Sequence, residues 1–260
     1  MSATTVRLVH VYPEHFDING DSGNALTVRK RLEWAGFDVE LIEPTPAGGW
    51  PSETPDLVLV GGGTLAAQRA ALAPLRAEAA RLGDWIAAGV PLLAVAGGLQ
   101  LAMSRIRFPG DGEAEQDGIG LFAGLSEPSA EHRTGPLVLD SAAHGRLFGY
   151  LNLAQTAVLD AGQQPFARVL HGEANGAATT AEDAAAAFDG AVNGTAIGSH
   201  SHGPLLPRNP GLADHLITTA LARRGIEGYA LGEKHLRVDD YARRAREAIT
   251  ARLKLADATA

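Results

Sequence analysis

The sequence predicts an α/β fold: a parallel sheet flanked by helices, with an antiparallel extension in its second half. Three observations predict it. Short apolar runs at 6–12, 39–42, 56–60 and 92–95 alternate with helical segments, the spacing of a doubly wound parallel sheet. Two of these runs end in glycine clusters, Gly61-Gly62-Gly63 and Gly97-Gly98, at strand ends where such sheets hold their ligands. From Ile106 to about Gly176 the pieces become short and turn-rich, which suits antiparallel pairing.

The elements follow in order. The strand over 6–12 stops at Pro13, and Asp21-Ser22-Gly23-Asn24 is a turn cluster that offers a helix N-cap. Leu26, Val28 and Leu32 give 25–34 helical periodicity, closed by Gly36. Residues 47–54 form a Pro/Gly-rich loop, and 72–88 reads as one helix. Leu92-Leu93-Ala94-Val95 fits a strand buried on both faces, and Leu99-Gln100-Leu101-Ala102-Met103 reads as the first turns of a helix. A strand breaking sharply into a helix at small residues has the geometry of a nucleophile elbow, and its apex here is Ala96. Alanine carries no nucleophilic atom.

In the second half, turns are expected at Pro109-Gly110-Asp111-Gly112, Ser126-Glu127-Pro128-Ser129 and Asp160-Ala161-Gly162, with strands at 137–139, 157–159 and 167–170. The alanine-rich 181–187 reads as filler. A strand over 195–199 runs into His200-Ser201-His202-Gly203-Pro204, and Asn209-Pro210 opens a helix through Arg223. An amphipathic helix over 239–255 is expected to turn Arg243, Arg244 and Arg246 to solvent. No linker demands a boundary, so the expectation is one domain over 1–260, with the core at roughly 5–225 and a helical segment at 226–260.

Composition narrows the function. The 45% apolar and 20% charged shares are those of an ordinary globular chain. A net charge of −8 argues against nucleic acid and anionic membranes. No apolar run approaches the ~20 residues of a membrane span, and no secretory h-region is visible, so a cytoplasmic address is expected. With no cysteine there is no disulfide, thiolate metal site or cysteine nucleophile. Gly61-Gly62-Gly63 lacks the Gly-Lys-Ser/Thr of a phosphate loop. His200 and His202, with His132 or His171, offer a metal-site reading; separate, solvent-satisfied histidines are the plainer one, and neither a metal nor a cofactor is expected.

Taken together, Tyr12 to Asn24, Arg31-Leu32-Glu33-Trp34, the triple glycine with Gln68, Val95 to Gln100, Gly118-Ile119-Gly120, Gly149-Tyr150 and His202-Gly203-Pro204-Leu205-Leu206-Pro207 carry a resemblance. The chain resembles class I glutamine amidotransferases of the cobyric-acid-synthase type, and within them the glutaminase (GatD) subunits of lipid II isoglutaminyl synthase. The resemblance implies a single flavodoxin-like amidotransferase domain and a Mur-ligase-like (MurT) partner in a heterodimer that amidates the peptidoglycan stem peptide. In the family the elbow reads Cys-Gly-Gly-x-Gln, and the cysteine attacks the glutamine side-chain amide to form a thioester. Carried over, the nucleophile position is Ala96 and the proton-transferring histidine is His202. Backbone N–H groups near Gly62 and Gly97 would form the oxyanion hole, Gln100 completes the elbow, and Asp21 lies in a loop beside the active site and partner surface.

The departures are several. The family's substrate-carboxylate Arg falls at His132, with Arg133 one place late, and a one-residue shift in a strand turns a side chain to the other face. The family's Glu-Asn-His is Leu151-Asn152-Leu153 here, its Tyr-Leu is His200-Ser201, and no acidic residue follows the triple glycine. An engineered Cys→Ala would change one residue only, so this pattern favours natural loss of glutaminase activity. Three readings stand: a glutaminase-dead subunit serving a MurT-like ligase; an active-family glutaminase inactivated by design at position 96; and a pocket remodelled around His132, His200 and His202 for another small ligand.

Overall fold

The structure is a computed structural model describing residues 4–175 and 187–255; of the alanine-rich 181–187, all but Ala187 lies outside them. In chain order the first half holds β1 (Thr5–Val11), α1 (Ser22–Trp34), β2 (Asp38–Ile42), β3 (Leu57–Val60), α2 (Leu65–Ala77), α3 (Ala79–Ala87), β4 (Leu92–Val95) and α4 (Gly97–Ala102). Then come β5 (Met103–Ile106), β6 (Gln116–Asp117), β7 (Phe122–Ser141), β8 (Gly145–Leu159), β9 (Ala167–His171) and β10 (Phe188–Asp189). The chain closes with β11 (Ala191–Asn193), β12 (Ala196–Ser199), α5 (Leu205–Arg208), α6 (Pro210–Arg223) and α7 (Glu233–Leu253).

The first sheet runs β11-β12-β4-β3-β1-β2, parallel except for β11 at its edge. Every residue of β3 and β4 is buried, as their unbroken apolar runs require of strands covered on both faces. Because β1, β3, β4 and β12 are parallel, the residues that follow them emerge at one edge: Tyr12, Gly61, Ala96 and His200. Helix α1 ends in a Schellman turn, with Gly36 N–H on Glu33 O (3.2 Å), Phe37 N–H on Leu32 O (3.0 Å) and Gly36 at φ 90°.

Several expectations are corrected. The helix read over 72–88 starts at Leu65, where Thr64 Oγ1 accepts from the Ala67 N–H, and it is two helices divided at Glu78. The alanine-rich first turns carry little apolar periodicity, which hid the start. The helix after the elbow ends at Ala102, since Met103 is extended (φ −62°, ψ 158°) and opens β5. Helix α7 begins at Glu233, and Arg246 is half-buried, its Nη1 donating to Arg208 O at 2.6 Å.

The expected antiparallel extension is a second sheet, β10-β9-β7-β5-β6, with β8 on β7, and it is mixed: β5 runs parallel to β7 and the other pairs are antiparallel. Its frame is a long hairpin in which β7 has 20 residues and β8 has 15. The turn expected at Ser126-Glu127-Pro128-Ser129 lies inside β7. It is a register shift instead: Pro128 pairs with Gln155 and Arg133 with Leu153, the irregularity a strand proline demands. Among the described residues no helix is long and apolar enough to cross a membrane.

Two histidines give the fold a pH dependence. Burial lowers the His10 pKa against the pull of Glu43, Asp17 and Asp21; burial and then the neighbouring His215 lower that of His144. Below the unfolded value of ~6.5 the unfolded chain therefore binds more protons, so stability is complete above that pH and declines as pH falls. Thermal unfolding between pH 7.5 and 5 is expected to show a falling Tm, with a shallower slope in His10→Gln. A flat profile in the native protein would contradict this.

Candidate active site

Ala96 has φ 45° and ψ −104°, a backbone conformation that L-residues rarely adopt. Such geometry costs about 1–3 kcal/mol and persists only where surroundings fix it. Here the Ala96 N–H donates to Ser199 O (2.8 Å), the Gly98 N–H to Gly61 O (3.0 Å) and the Gln100 N–H to Ala96 O (2.8 Å). The elbow is intact, and its apex holds a methyl group.

The glycines let three loops close on it. A β-carbon on Gly62 would lie 2.7 Å from His202 Cε1 and 3.1 Å from Asp21 Oδ2; one on Gly97 would lie 2.8 Å from the Gly63 nitrogen. The Gly62 N–H donates to Asp21 Oδ2 at 2.8 Å, so it is already engaged and does not act as an oxyanion donor. Among the described residues the Gly63 and Gly97 N–H groups make no hydrogen bond, so they are the donors left to face a ligand. Asp21 does not cap α1 with its side chain; at 1% exposure it ties that helix's entry to the triple glycine.

His202 is 2% exposed and is backed by a hydrogen-bonded chain. His132 Nε2 lies 2.8 Å from Asn152 Oδ1, Asn152 Nδ2 donates to Asn19 Oδ1 at 3.1 Å, and Asn19 Nδ2 lies 3.2 Å from His202 Nδ1. An amide oxygen only accepts, so His132 Nε2 carries a proton and the chain has one direction. It ends with Asn19 donating to His202 Nδ1, which puts the proton of a neutral His202 on Nε2. Asp21 Oδ2 stands 3.7 Å from Nδ1, beyond hydrogen-bond reach. His202 Nε2 thus carries an N–H that no protein group accepts, where a base for a thiol would present a lone pair. Nitrogen-15 NMR is expected to show the Nε2–H tautomer, and Asn19→Leu to release it; an Nδ1–H imidazole in the native protein would refute the assignment.

The other sequence-derived candidates fall elsewhere. Arg133 shares no face with His132 and pairs through Nε with Glu173 at 3.1 Å, so it does not replace the missing Arg. Gln100 is buried and its Nε2 donates to Gln155 O at 3.2 Å, clamping α4 onto β8 rather than opening to the pocket. Leu151 and Leu153 are buried and alternate with exposed Asn152, so only the asparagine joins the chain to His202. His200 turns away from His202: its Nδ1 lies 3.0 Å from Asp189 Oδ1, and Asp189 also accepts from Ser199 Oγ (2.5 Å) and the His200 N–H (3.1 Å). His132, His200 and His202 are not brought together, and among the described residues no group of three His, Cys, Asp or Glu side chains is placed to hold a metal.

Sequence reasoning missed Asn19, Asn152 and Asp189 as site-forming residues. Asn19 lay within a motif block and Asn152 between the two leucines, but neither carried a local pattern. In the loops around the elbow, His202 Nε2, Gln68 Oε1 and Asp21 Oδ1 are buried without a protein partner. The β-carbon position of Gly97 lies 2.8 Å from the Gly63 nitrogen and 3.2 Å from Gln68 Nε2, so unpartnered donors and acceptors, the groups a carboxamide needs, lie in the loops beside the elbow.

The CobB/CobQ-like glutamine amidotransferase domain matches residues 7–210. The chain is 26% identical over 219 residues to the lipid II isoglutaminyl synthase (glutamine-hydrolyzing) subunit GatD of Staphylococcus aureus (strain N315), covering 84% of this chain and 86% of that protein. It is 25% identical over 224 residues to the GatD subunit of Streptococcus pneumoniae (strain ATCC BAA-255 / R6), covering 84% and 82%. A crystal structure of a glutamine amidotransferase superposes with a TM-score of 0.52 at 17% identity, covering 82% of this chain and 98% of that one, which shows a shared fold.

Proposed function

The chain belongs to the CobB/CobQ-like glutamine amidotransferase family, and from that premise we propose that it is a GatD-like subunit that binds glutamine without hydrolysing it. The observation that carries this reading is the elbow itself. Its strained backbone is retained at Ala96 while the atom that would attack an amide is missing. Covalent amide cleavage needs a nucleophile to form the acyl intermediate, and loss of a nucleophile in hydrolases of this logic costs about 10⁶-fold in turnover. The polar shell supports retained binding: Gly63 and Gly97 N–H groups suit the amide oxygen, while Gln68 Oε1 and Asp21 Oδ1 suit its NH₂.

In this reading the subunit serves a Mur-ligase-like partner that draws on free ammonia, with the glutamine site at the elbow acting as a docking or sensing element. The test is calorimetric titration with L-glutamine alongside an ammonia-release assay. Saturable binding with release at the no-protein background is expected. Ammonia release at an enzymatic rate would overturn the inactive reading, and absence of binding would overturn the retained pocket.

A further inference from the structure

A cleft of about 340 Å³ lies between β8, α5 and α7, lined by Pro136, Phe148, Tyr150, Ile249 and three arginines, Arg208, Arg246 and Arg252. No carboxylate lines it. In a chain of net charge −8 this is an unusual place to leave cations uncompensated. Most arginines of known pairing here meet a carboxylate, as Arg107 does with Glu115 and Glu127. Among the described residues Arg208 and Arg252 pair with none, and Arg246 donates only to the Arg208 carbonyl. Burial lowers the Arg246 pKa, more than Asp239 and Glu247 raise it, so its charge is under-compensated where it stands.

We propose that this cleft is a binding site for a phosphorylated organic anion. Three guanidinium groups from two elements provide forked donors that match phosphate oxygens. Phe148, Tyr150, Pro136 and Ile249 give an apolar wall for the body that carries the phosphate, and Tyr150 is 42% exposed there. The volume falls within the range of small-molecule sites. The wall is joined to the amidotransferase pocket by backbone: Tyr150 N–H donates to His202 O (3.2 Å) and His202 N–H to Tyr150 O (2.9 Å). Gly203, the next residue, lies with its β-carbon position 3.7 Å from Arg208 Nη2.

The test uses the full chain and two probes, inorganic phosphate and phenyl phosphate, in calorimetric titrations at low and high salt. Phenyl phosphate is expected to bind saturably and about tenfold tighter than inorganic phosphate, through burial of its ring. Both should weaken as salt rises. Arg208→Gln with Arg252→Gln is expected to weaken phenyl phosphate at least about tenfold, with an unchanged circular dichroism spectrum. The single Arg252→Gln change, at an exposed side chain, gives a second reading should the pair impair folding. No saturable binding, equal affinity for the two probes, or unaltered binding by the folded variants would each overturn the proposal.

Discussion

Ala96→Cys is expected to create ammonia release from glutamine where the proposed reading gives the native protein none, and yet to leave the enzyme crippled. The elbow already holds the strained backbone, so the new thiol enters an assembled turn beside the Gly97 N–H, and it should alkylate readily with iodoacetamide. Two features hold turnover down. His202 is kept with its proton on Nε2 by the Asn19 amide, so the imidazole must first change tautomer to accept the thiol proton. The position where the resemblance places a substrate-anchoring Arg holds His132, bound to Asn152, while Arg133 is held by Glu173 on the other face. A charged hydrogen bond to a carboxylate contributes about 1.5–3 kcal/mol, so Ala96→Cys with His132→Arg should raise kcat/KM about 10–100-fold over Ala96→Cys alone, chiefly through KM. Full family-like activity in the single variant would show that the pocket had never diverged and that position 96 alone silenced it.

How much of this was legible in the sequence depended on how local the cause was. Four consecutive apolar residues followed by two glycines announced β4, the elbow and the missing atom, because burial and turn chemistry are written in neighbouring residues. The parallel sheet was readable for the same reason. The β7–β8 hairpin was not, because Gly124, Pro128, Gly135 and Pro136 interrupt the period-2 pattern that would mark long strands; a register shift follows Pro128, while Gly124, Gly135 and Pro136 pair in regular register. The polar shell was the least visible part. Asn19 and His202 meet across 183 residues, and Asp189 sits in a two-residue strand with nothing in its flanks to mark it as the partner of His200. Asp21 was legible as a helix cap by residue type, and that inference failed because the Gly62 N–H competes for its carboxylate.

Arg31→Met is expected to cost the fold about 3–5 kcal/mol, the loss that follows when one member of a buried ion network is removed. Arg31 is 1% exposed and lies where α1, α6 and α7 meet. Its Nε and Nη2 grip Asp214 at 2.7 Å each, its Nη1 reaches Asp239 at 2.6 Å, and the Tyr229 hydroxyl also donates to Asp214. Burial by itself would lower the Arg31 pKa, but hydrogen bonds with Asp239 and Asp214 more than reverse it, so the guanidinium stays charged. The aspartates retain 21% and 25% side-chain exposure, so water can partly rescue them and the lower end of the range applies. At about 2–4 °C per kcal/mol for a chain of this size class, Tm should fall by roughly 10 °C. Helix α7 should suffer first, because Asp239 and the His235 Nε2 contact to Arg31 O at 2.9 Å are what hold it to α1. Limited proteolysis is therefore expected to cleave α7 before the sheet in the variant. Replacing Asp214 and Asp239 with leucine in the Arg31→Met background removes the stranded charges and should recover most of the loss, since apolar replacement of a whole buried network is near neutral. A Tm within 2 °C of the native protein for Arg31→Met would mean that apolar packing alone joins these helices and that the ion network adds nothing.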